Sequence, residues 1–386
     1  MTNVLEQGLL PTGMTDLLPG DAAFEANVVE RLMACFASHG FERVKPPLLE
    51  FEDSLLSGSG AAMASQTFRL MDPVSQRMMG LRADMTLQVA RIATSRLKNA
   101  PRPLKLSYAG EVLRVKGSQL RPERQFGQVG AELIGSADPA ADAEVILMAA
   151  DALETVGVPS ISVDIALPTL VPALCRSANL DSSTRANLRA ALDRKDSAGV
   201  TQLKSRLGDT LTSSLTGLLK AMGPAAAALA AFERLPLTGE AKAAWDSLKD
   251  VVARVGAAAP SLTLTIDPVE NRGFEYHSGV TFTFFAKGVR GELGSGGRYQ
   301  AGNDSGEPAT GLTLFMDTVL QALPAEKPKR RVFLPLGTAD VDGRRLRSEG
   351  WMTVQGLSEG AGAEAEARRL KCGHVWLAGH LQPIGG

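Results

Sequence analysis

The sequence predicts an α+β fold: an antiparallel sheet core flanked by helices, with a helical insertion and a small α/β unit at the C-terminus. Three observations carry this. Leu104, Leu106 and Tyr108 alternate as in a half-buried strand, and a second strand pattern runs from Gln125 to Ile134 across a polar loop. The stretch from about Pro168 to Ala259 is rich in Ala, Leu and Ser at helical spacing. Beyond residue 325 the pattern reads β-α-β-α-β. The expected domains are a core over 1–324, with residues 168–259 as the mainly helical insertion, and a small unit over 325–386.

Phe24, Val28, Leu32 and Phe36 recur at i+4 beside Val29 and Met33, which is one buried helical stripe. Asp21 is expected to cap its start and Gly40 to take the left-handed position after its end. Phe41 to Glu50 carries Pro46 and Pro47, which donate no ladder hydrogen bond, so the segment reads as an edge strand or an interface segment. After the hairpin, Asp138 caps a helix with Pro139 at its first position and Gly157 at its end. A short strand (Ile161, Val163, Ile165) precedes the insertion, whose Ala225–Ala228 run suits close helix packing. Strands return at Leu262 to Ile266 and Val280 to Phe284. Within the glycine-rich run Gly291 to Gly302, Gly294-Ser-Gly-Gly-Arg-Tyr299 reads as a tight turn between strands of a ligand-binding sheet; it lacks the Lys-Ser/Thr of a phosphate-binding loop. An apolar helix is expected over 313–323, then a basic, proline-containing linker to Arg331.

At 386 residues the chain has room for about two to three domains. Forty-one Lys and Arg against 42 Asp and Glu give a net charge of −1, which argues against a protein that coats nucleic acid. Cys35, Cys175 and Cys372 are dispersed and odd in number, without a Cys-x-x-Cys, which argues against a disulfide framework or zinc ribbon, and the four histidines show no metal-ligand spacing. No apolar run reaches the ~20 residues of a spanning helix, and no secretory leader pattern opens the chain. The expectation is a reduced, cytoplasmic protein.

Three polar clusters stand out. The hairpin holds Glu111, Arg114, Lys116, Arg121, Arg124, Gln128 and Glu132. Gln128 and Glu132 share a strand face, and Arg114 can meet them across the ladder. A guanidinium, an amide and a carboxylate suit a small zwitterion: the fork takes a carboxylate, the acid or amide an N–H. An exposed sheet face with paired charges would show the same pattern. Arg82-Ala-Asp84-Met-Thr86 precedes a helix that Thr86 can cap. Asn271 to His277 places Arg272 beside Gly273 and ends in Tyr276-His277.

Taken in order, these segments resemble the class II aminoacyl-tRNA synthetase core, specifically histidyl-tRNA synthetase. Leu10 to Pro19 is similar to its N-terminal signature. His39 to Glu50 resembles motif 1, the dimer-interface element, and Glu111 to Gly135 resembles motif 2. Arg272 to Tyr276 and Ser295 to Tyr299 resemble the two histidine-specific segments. The resemblance covers residues 10–324 and extends loosely over the tail. It implies a histidine-binding pocket of Asp84, Thr86, Arg114, Gln128, Glu132, Arg272, Tyr276 and Tyr299. The departures fall elsewhere. Motif 3 of that family has a helix-entry glycine that leaves room for adenine and an arginine for the phosphates; Phe315 and Thr318 stand at these positions here. Lys116 inverts a charge in the motif 2 loop, His277 replaces a tyrosine, and the tail is short for an anticodon-binding domain.

Loss of the ATP machinery with a kept amino-acid pocket resembles the synthetase paralogues that serve as regulatory subunits of ATP phosphoribosyltransferase. That resemblance implies a chain with no catalytic residues, cofactor or metal. It implies a role in histidine biosynthesis beside a short-form catalytic subunit, a dimer core, and L-histidine as effector, with no membrane and no expected tRNA partner. The alternatives are histidine bound at a subunit interface over an inherited pocket, an active histidyl-tRNA synthetase, or a module that senses histidine or RNA.

Overall fold

A computed structural model of the chain describes residues 8–56, 63–119, 121–176, 178–270, 277–302, 306–325, 330–358 and 362–384. It divides into two compact units, Met1–Pro324 and Ala325–Gly386.

The large unit opens with α1 (Asp21–Ser38), whose Val28, Leu32, Met33, Cys35 and Phe36 are buried. Asp21 is the first helical residue rather than the cap: Gly20 holds the cap position without a side-chain bond. Gly40, at φ 83°, turns the chain after His39. The strand β1 (Glu42–Arg43) then pairs in parallel with the hairpin's first strand before the two prolines stop it. Next come β2 (Leu49–Phe51), α2 (Glu52–Leu55), β3 (Arg69–Met71) and β4 (Met78–Leu81). The three strands form a separate antiparallel sheet, β2-β4-β3, that the sequence patterns did not suggest. Two of them have only three residues each, too short for an alternation to register. The helix α3 (Thr86–Ser95) follows.

The hairpin is β5 (Leu104–Leu113) and β6 (Gln125–Ile134), paired from Leu104↔Ile134 to Leu113↔Gln125. Asp138 caps α4 (Pro139–Val156) by accepting from the Ala140 N–H, and Gly157 ends it in the left-handed region. After β7 (Ile161–Ala166), the insertion consists of α5 (Leu170–Cys175), α6 (Ser182–Asp193), α7 (Ser197–Gln202), α8 (Lys204–Leu207), α9 (Asp209–Lys220), the two-residue strand β8 (Gly223–Pro224), α10 (Ala225–Phe232) and α11 (Gly239–Ala258). Ala225 and Ala228 are buried as the packing reading required, and Phe232 stacks on Trp245 with centroids 3.9 Å apart. The core closes with β9 (Thr263–Asp267), β10 (His277–Ala286), β11 (Gly294–Ala301), β12 (Glu307–Phe315) and α12 (Met316–Ala322).

Nine strands make one sheet in the order β1-β5-β6-β12-β11-β10-β7-β9-β8. Pairing is antiparallel except for β1 with β5 and β7 with β9. One face packs on α1 and α4 through Val129, Ala131 and Leu133; the other meets α3 through Leu106, Tyr108, Phe126 and Ile134. Two expectations change here. The glycine-rich run is a central strand, not a turn. It fits because a Cβ at Gly296 would meet the Gly311 carbonyl, and the Leu312 Cα and Phe282 ring at 2.8 Å. Residues 313–315 are strand rather than helix, because β12 is paired on both sides and holds them to β6 and β11.

The small unit has β13 (Arg331–Leu334), α13 (Asp340–Ser348), β14 (Met352–Gln355), α14 (Ala363–Arg369), β15 (His374–Leu377) and β16 (His380–Pro383). The sheet order is β14-β13-β15-β16, with an antiparallel last strand the sequence pattern lacked. Val332 and Leu334 pack with Leu346 on one face, Phe333 with Ala367 on the other.

Gly296→Ala should destabilise the large unit by about 1–3 kcal/mol, since the clash is with backbone as well as with a ring. Urea unfolding should show a lower midpoint at unchanged slope; an unchanged midpoint would mean that β12 gives way without cost.

Candidate functional site

The site lies on the α3 face of the sheet, where Gln128 and Glu132 stand two pleats apart on β6. Both are fully enclosed, at 0% and 1% exposure. The alternative of an exposed face with paired charges is therefore wrong: β6 is covered on both sides, and its polar side chains must find partners inside the protein.

They do. Gln128 Nε2 donates to Asp84 Oδ2 at 2.9 Å, and its Oε1 accepts from the Met85 N–H at 3.1 Å. The other Asp84 oxygen accepts from the Thr86 N–H at 2.9 Å. Thr86 thus starts α3 but does not cap it; its hydroxyl lies 3.1 Å from Tyr108 OH. Glu132 Oε1 accepts from Tyr108 OH at 3.1 Å, and Oε2 accepts from Tyr299 OH at 2.9 Å. Tyr108 OH is also 2.8 Å from Thr313 Oγ1. The tyrosines come from β5 and β11, on opposite sides of Glu132. Between them β12 passes Gly311 directly opposite Glu132, where any Cβ would overlap the Glu132 carboxylate. Glycine is required there for lack of space, not for its backbone angle.

Burial raises the Glu132 carboxyl from 4.5 to about 8; the nearby Asp84 charge adds to this, and the Tyr299, Thr86 and Tyr108 hydroxyls offset it in part. Burial likewise pushes the Tyr108 phenol well above its usual value. Arg114 lies just past β5. Its Nε donates to the Ala83 carbonyl at 3.3 Å and its guanidinium sits 5.1 Å from the Phe126 ring centre. Burial lowers its pKa, partly opposed by Asp84. The structure therefore brings Asp84, Thr86, Gln128, Glu132 and Tyr299 into one network, with Arg114 beside it. Arg272 and Tyr276 lie outside the described residues. His277, the first residue of β10, pairs in register with Tyr299.

A second cluster adjoins Arg114. Arg121, from the loop between β5 and β6, lays its guanidinium 3.9 Å from the Phe315 ring centre and 5.0 Å from that of Phe126. Its Nε donates to Asp317 Oδ2 at 2.7 Å, and Glu292 lies 3.9 Å away. The Thr318 hydroxyl donates to the carbonyls of Glu292 (2.7 Å) and Phe315 (3.1 Å). Tyr108, Thr313, Glu292 and Asp317 were not singled out from the sequence. Tyr108 read only as an apolar strand position; its signal was Gly130, the partner that leaves room for its ring.

A buried acid–amide network with a guanidinium beside it can orient a small zwitterion: an ammonium towards Asp84, an N–H towards Glu132 or Gln128, a carboxylate towards Arg114.

The histidyl-tRNA synthetase family profile matches residues 13–319. A protein from Rhodospirillum centenum named ATP phosphoribosyltransferase regulatory subunit is 58% identical over 97% of this chain and 96% of its own. The chain belongs to the ATP phosphoribosyltransferase regulatory subunit family. A relative of the same name from Gluconobacter oxydans is 45% identical, covering 97% of both chains. The solved structure of an ATP phosphoribosyltransferase regulatory subunit/histidyl-tRNA synthetase from Bacillus halodurans superposes with a TM-score of 0.81 at 26% identity, over 94% of this chain and 96% of that one. Histidyl-tRNA synthetase from Nostoc sp. PCC 7120 superposes at 0.77 with 17% identity, over 95% and 90%, a likeness of fold alone. The regulatory-subunit family thus shares the class II synthetase-like architecture, and among the described residues no helix is long and apolar enough to cross a membrane.

Because the folded Glu132 carboxyl holds its proton more tightly than the unfolded one, its contribution to stability is fully present below about pH 4.5 and is lost as pH rises through about 8. Glu132→Gln removes the ionisation while keeping the shape. Urea unfolding between pH 5 and 8 should show stability falling in the native chain and a flatter profile in the variant; parallel profiles would mean that Glu132 titrates normally.

Proposed function

We propose that the chain is a non-catalytic regulatory subunit of ATP phosphoribosyltransferase in histidine biosynthesis. It assembles with a short-form catalytic subunit, is required for that subunit's activity, and carries feedback by L-histidine. The names of its relatives support the assignment. The effector is held by Asp84, Thr86, Arg114, Gln128, Glu132 and Tyr299, joined by Arg272 and Tyr276 on the resemblance to the synthetases. The segment from His39 to Glu50 serves the dimer core.

The observation that carries the non-catalytic reading is Arg121 on Phe315 and Asp317. Adenylation needs guanidinium groups free to meet charge developing on the ATP phosphates. Here the Arg121 guanidinium pairs with the Asp317 carboxylate and has its central carbon 3.9 Å from the Phe315 ring centre. The ring stands where the synthetases have a glycine, and Thr318 offers only a hydroxyl, already engaged with backbone. What remains is a pocket without a nucleotide-activating partner, suited to binding rather than to chemistry. Histidine can inhibit through such a pocket only by binding the inactive arrangement of the complex more tightly than the active one.

Phosphoribosyl-ATP formation by the cognate short catalytic subunit should rise when this chain is added and fall again with histidine, while histidine-dependent ATP–pyrophosphate exchange stays at background. Absence of activation would remove the regulatory assignment, and exchange above background would restore a synthetase. In calorimetry, Glu132→Gln should weaken histidine binding at least ten-fold. Undiminished affinity would move the effector to a subunit interface and leave the pocket as inherited scaffolding.

A further inference from the structure

We propose that Cys35, His39 and Asp151 form a zinc site at the C-terminal end of α1, holding the ion through a thiolate, an imidazole nitrogen and a carboxylate oxygen, with water in the fourth position. The site is separate from the histidine-type pocket on the α3 face and does not depend on the function proposed for that pocket.

Cys35 and His39 are four residues apart, so their side chains share one face of the helix end. On its own this pair is only a spacing. The fold supplies the third group from α4, at a sequence separation of 112 from His39. His39 Nε2 lies 3.0 Å from Asp151 Oδ2, Cys35 Sγ lies 3.5 Å from the same oxygen, and the three donor atoms are all within 4.8 Å of one another. In tetrahedral zinc, bonds of about 2.3 Å to sulfur and about 2.0 Å to nitrogen and oxygen separate S from O by about 3.5 Å and N from O by about 3.3 Å. The S–O edge thus already has the length that the ion requires, the N–O edge is about 0.3 Å shorter, and the S–N edge lies within 4.8 Å against the about 3.5 Å required.

The chemistry of the donors selects the metal. One soft, one borderline and one hard ligand suit zinc; magnesium and calcium take oxygen alone. The entry path lies on the Asp151 side, outside the segment assigned to the dimer core: Cys35 is buried, whereas the Asp151 side chain is 57% exposed. The charges balance too, since one thiolate and one carboxylate neutralise a divalent ion. Competing cations nearby are engaged elsewhere: Arg31 donates to the Thr155 and Val156 carbonyls, and Lys105 pairs with Glu144. Without metal, burial and the Asp151 charge push the Cys35 thiol up to about 11. The thiol then merely donates to the carboxylate. On coordination its proton passes to solvent as the S–Zn bond forms. The ion would clip the end of α1 to α4, just before the chain turns at Gly40 into β1.

Cobalt(II) is the probe. Titrated into the full chain after chelator treatment, it should saturate near one equivalent, giving tetrahedral visible bands and a near-ultraviolet thiolate-to-metal charge-transfer band that zinc abolishes. Cys35→Ser should remove the charge-transfer band. His39→Gln and Asp151→Asn, both at partly exposed positions, should each weaken cobalt binding at least ten-fold with the circular dichroism spectrum unchanged. The site is overturned if the charge-transfer band is absent, survives in Cys35→Ser, or grows without saturating near one equivalent; the three groups would then be only a hydrogen-bonded cluster.

Discussion

One enclosed carboxyl constrains the middle of this protein. Glu132 sits on a strand whose two faces are both packed, so its oxygens have no access to water and must be met by protein donors. Two tyrosines meet them on the same face, from strands on either side of Glu132 in the sheet, and β12, which passes between Glu132 and Tyr299, has no side chain at the point of crossing. Tyr108 is held in turn by Thr86 and Thr313. The order of β5, β6, β12 and β11, the start of α3 and the placement of a glycine are thereby coupled to one acidic group. Such a network is stable only when complete, because a single missing partner leaves a buried polar atom unmet.

Arg114 marks the border between two regions of opposite character. On one side lie acids and hydroxyls held at fixed distances; on the other, Arg121, Phe315, Phe126 and Asp317 fill their own space. On the proposed function, the same scaffold keeps a recognition half and has closed a reactive half. A guanidinium over an aromatic ring and paired with a carboxylate satisfies both charge and aromatic surface locally.

Much of the architecture was legible because its signals are local. Asp138, Pro139 and Gly157 fix α4 through cap and turn chemistry carried by neighbouring residues. The hairpin limits at Gln125 and Ile134 come from the change between strand residues and a polar loop. What escaped was non-local. The run from Gly291 to Gly302 has the composition of a turn, and only the approach of the neighbouring strands shows why residues without side chains are wanted in a sheet. Residues 313–315 share the helical spacing of α12, yet pairing on both sides holds them extended. In the site, Gln128 and Glu132 could be placed on one face by the two-residue period, but the tyrosine partners of Glu132 are 24 and 167 positions away from it. No spacing rule reaches across such distances.

The nine-stranded sheet ends on very short strands. At one edge β1 has two residues and is followed by Pro46 and Pro47; at the other, β8 is Gly223 and Pro224. Long, flat edges invite strand-by-strand templating, the route to runaway polymers. Here a newcomer finds at either rim a frame of two residues and a ring nitrogen with no hydrogen to give. A strand arriving from another molecule therefore finds scant main chain to latch onto at these two terminal strands.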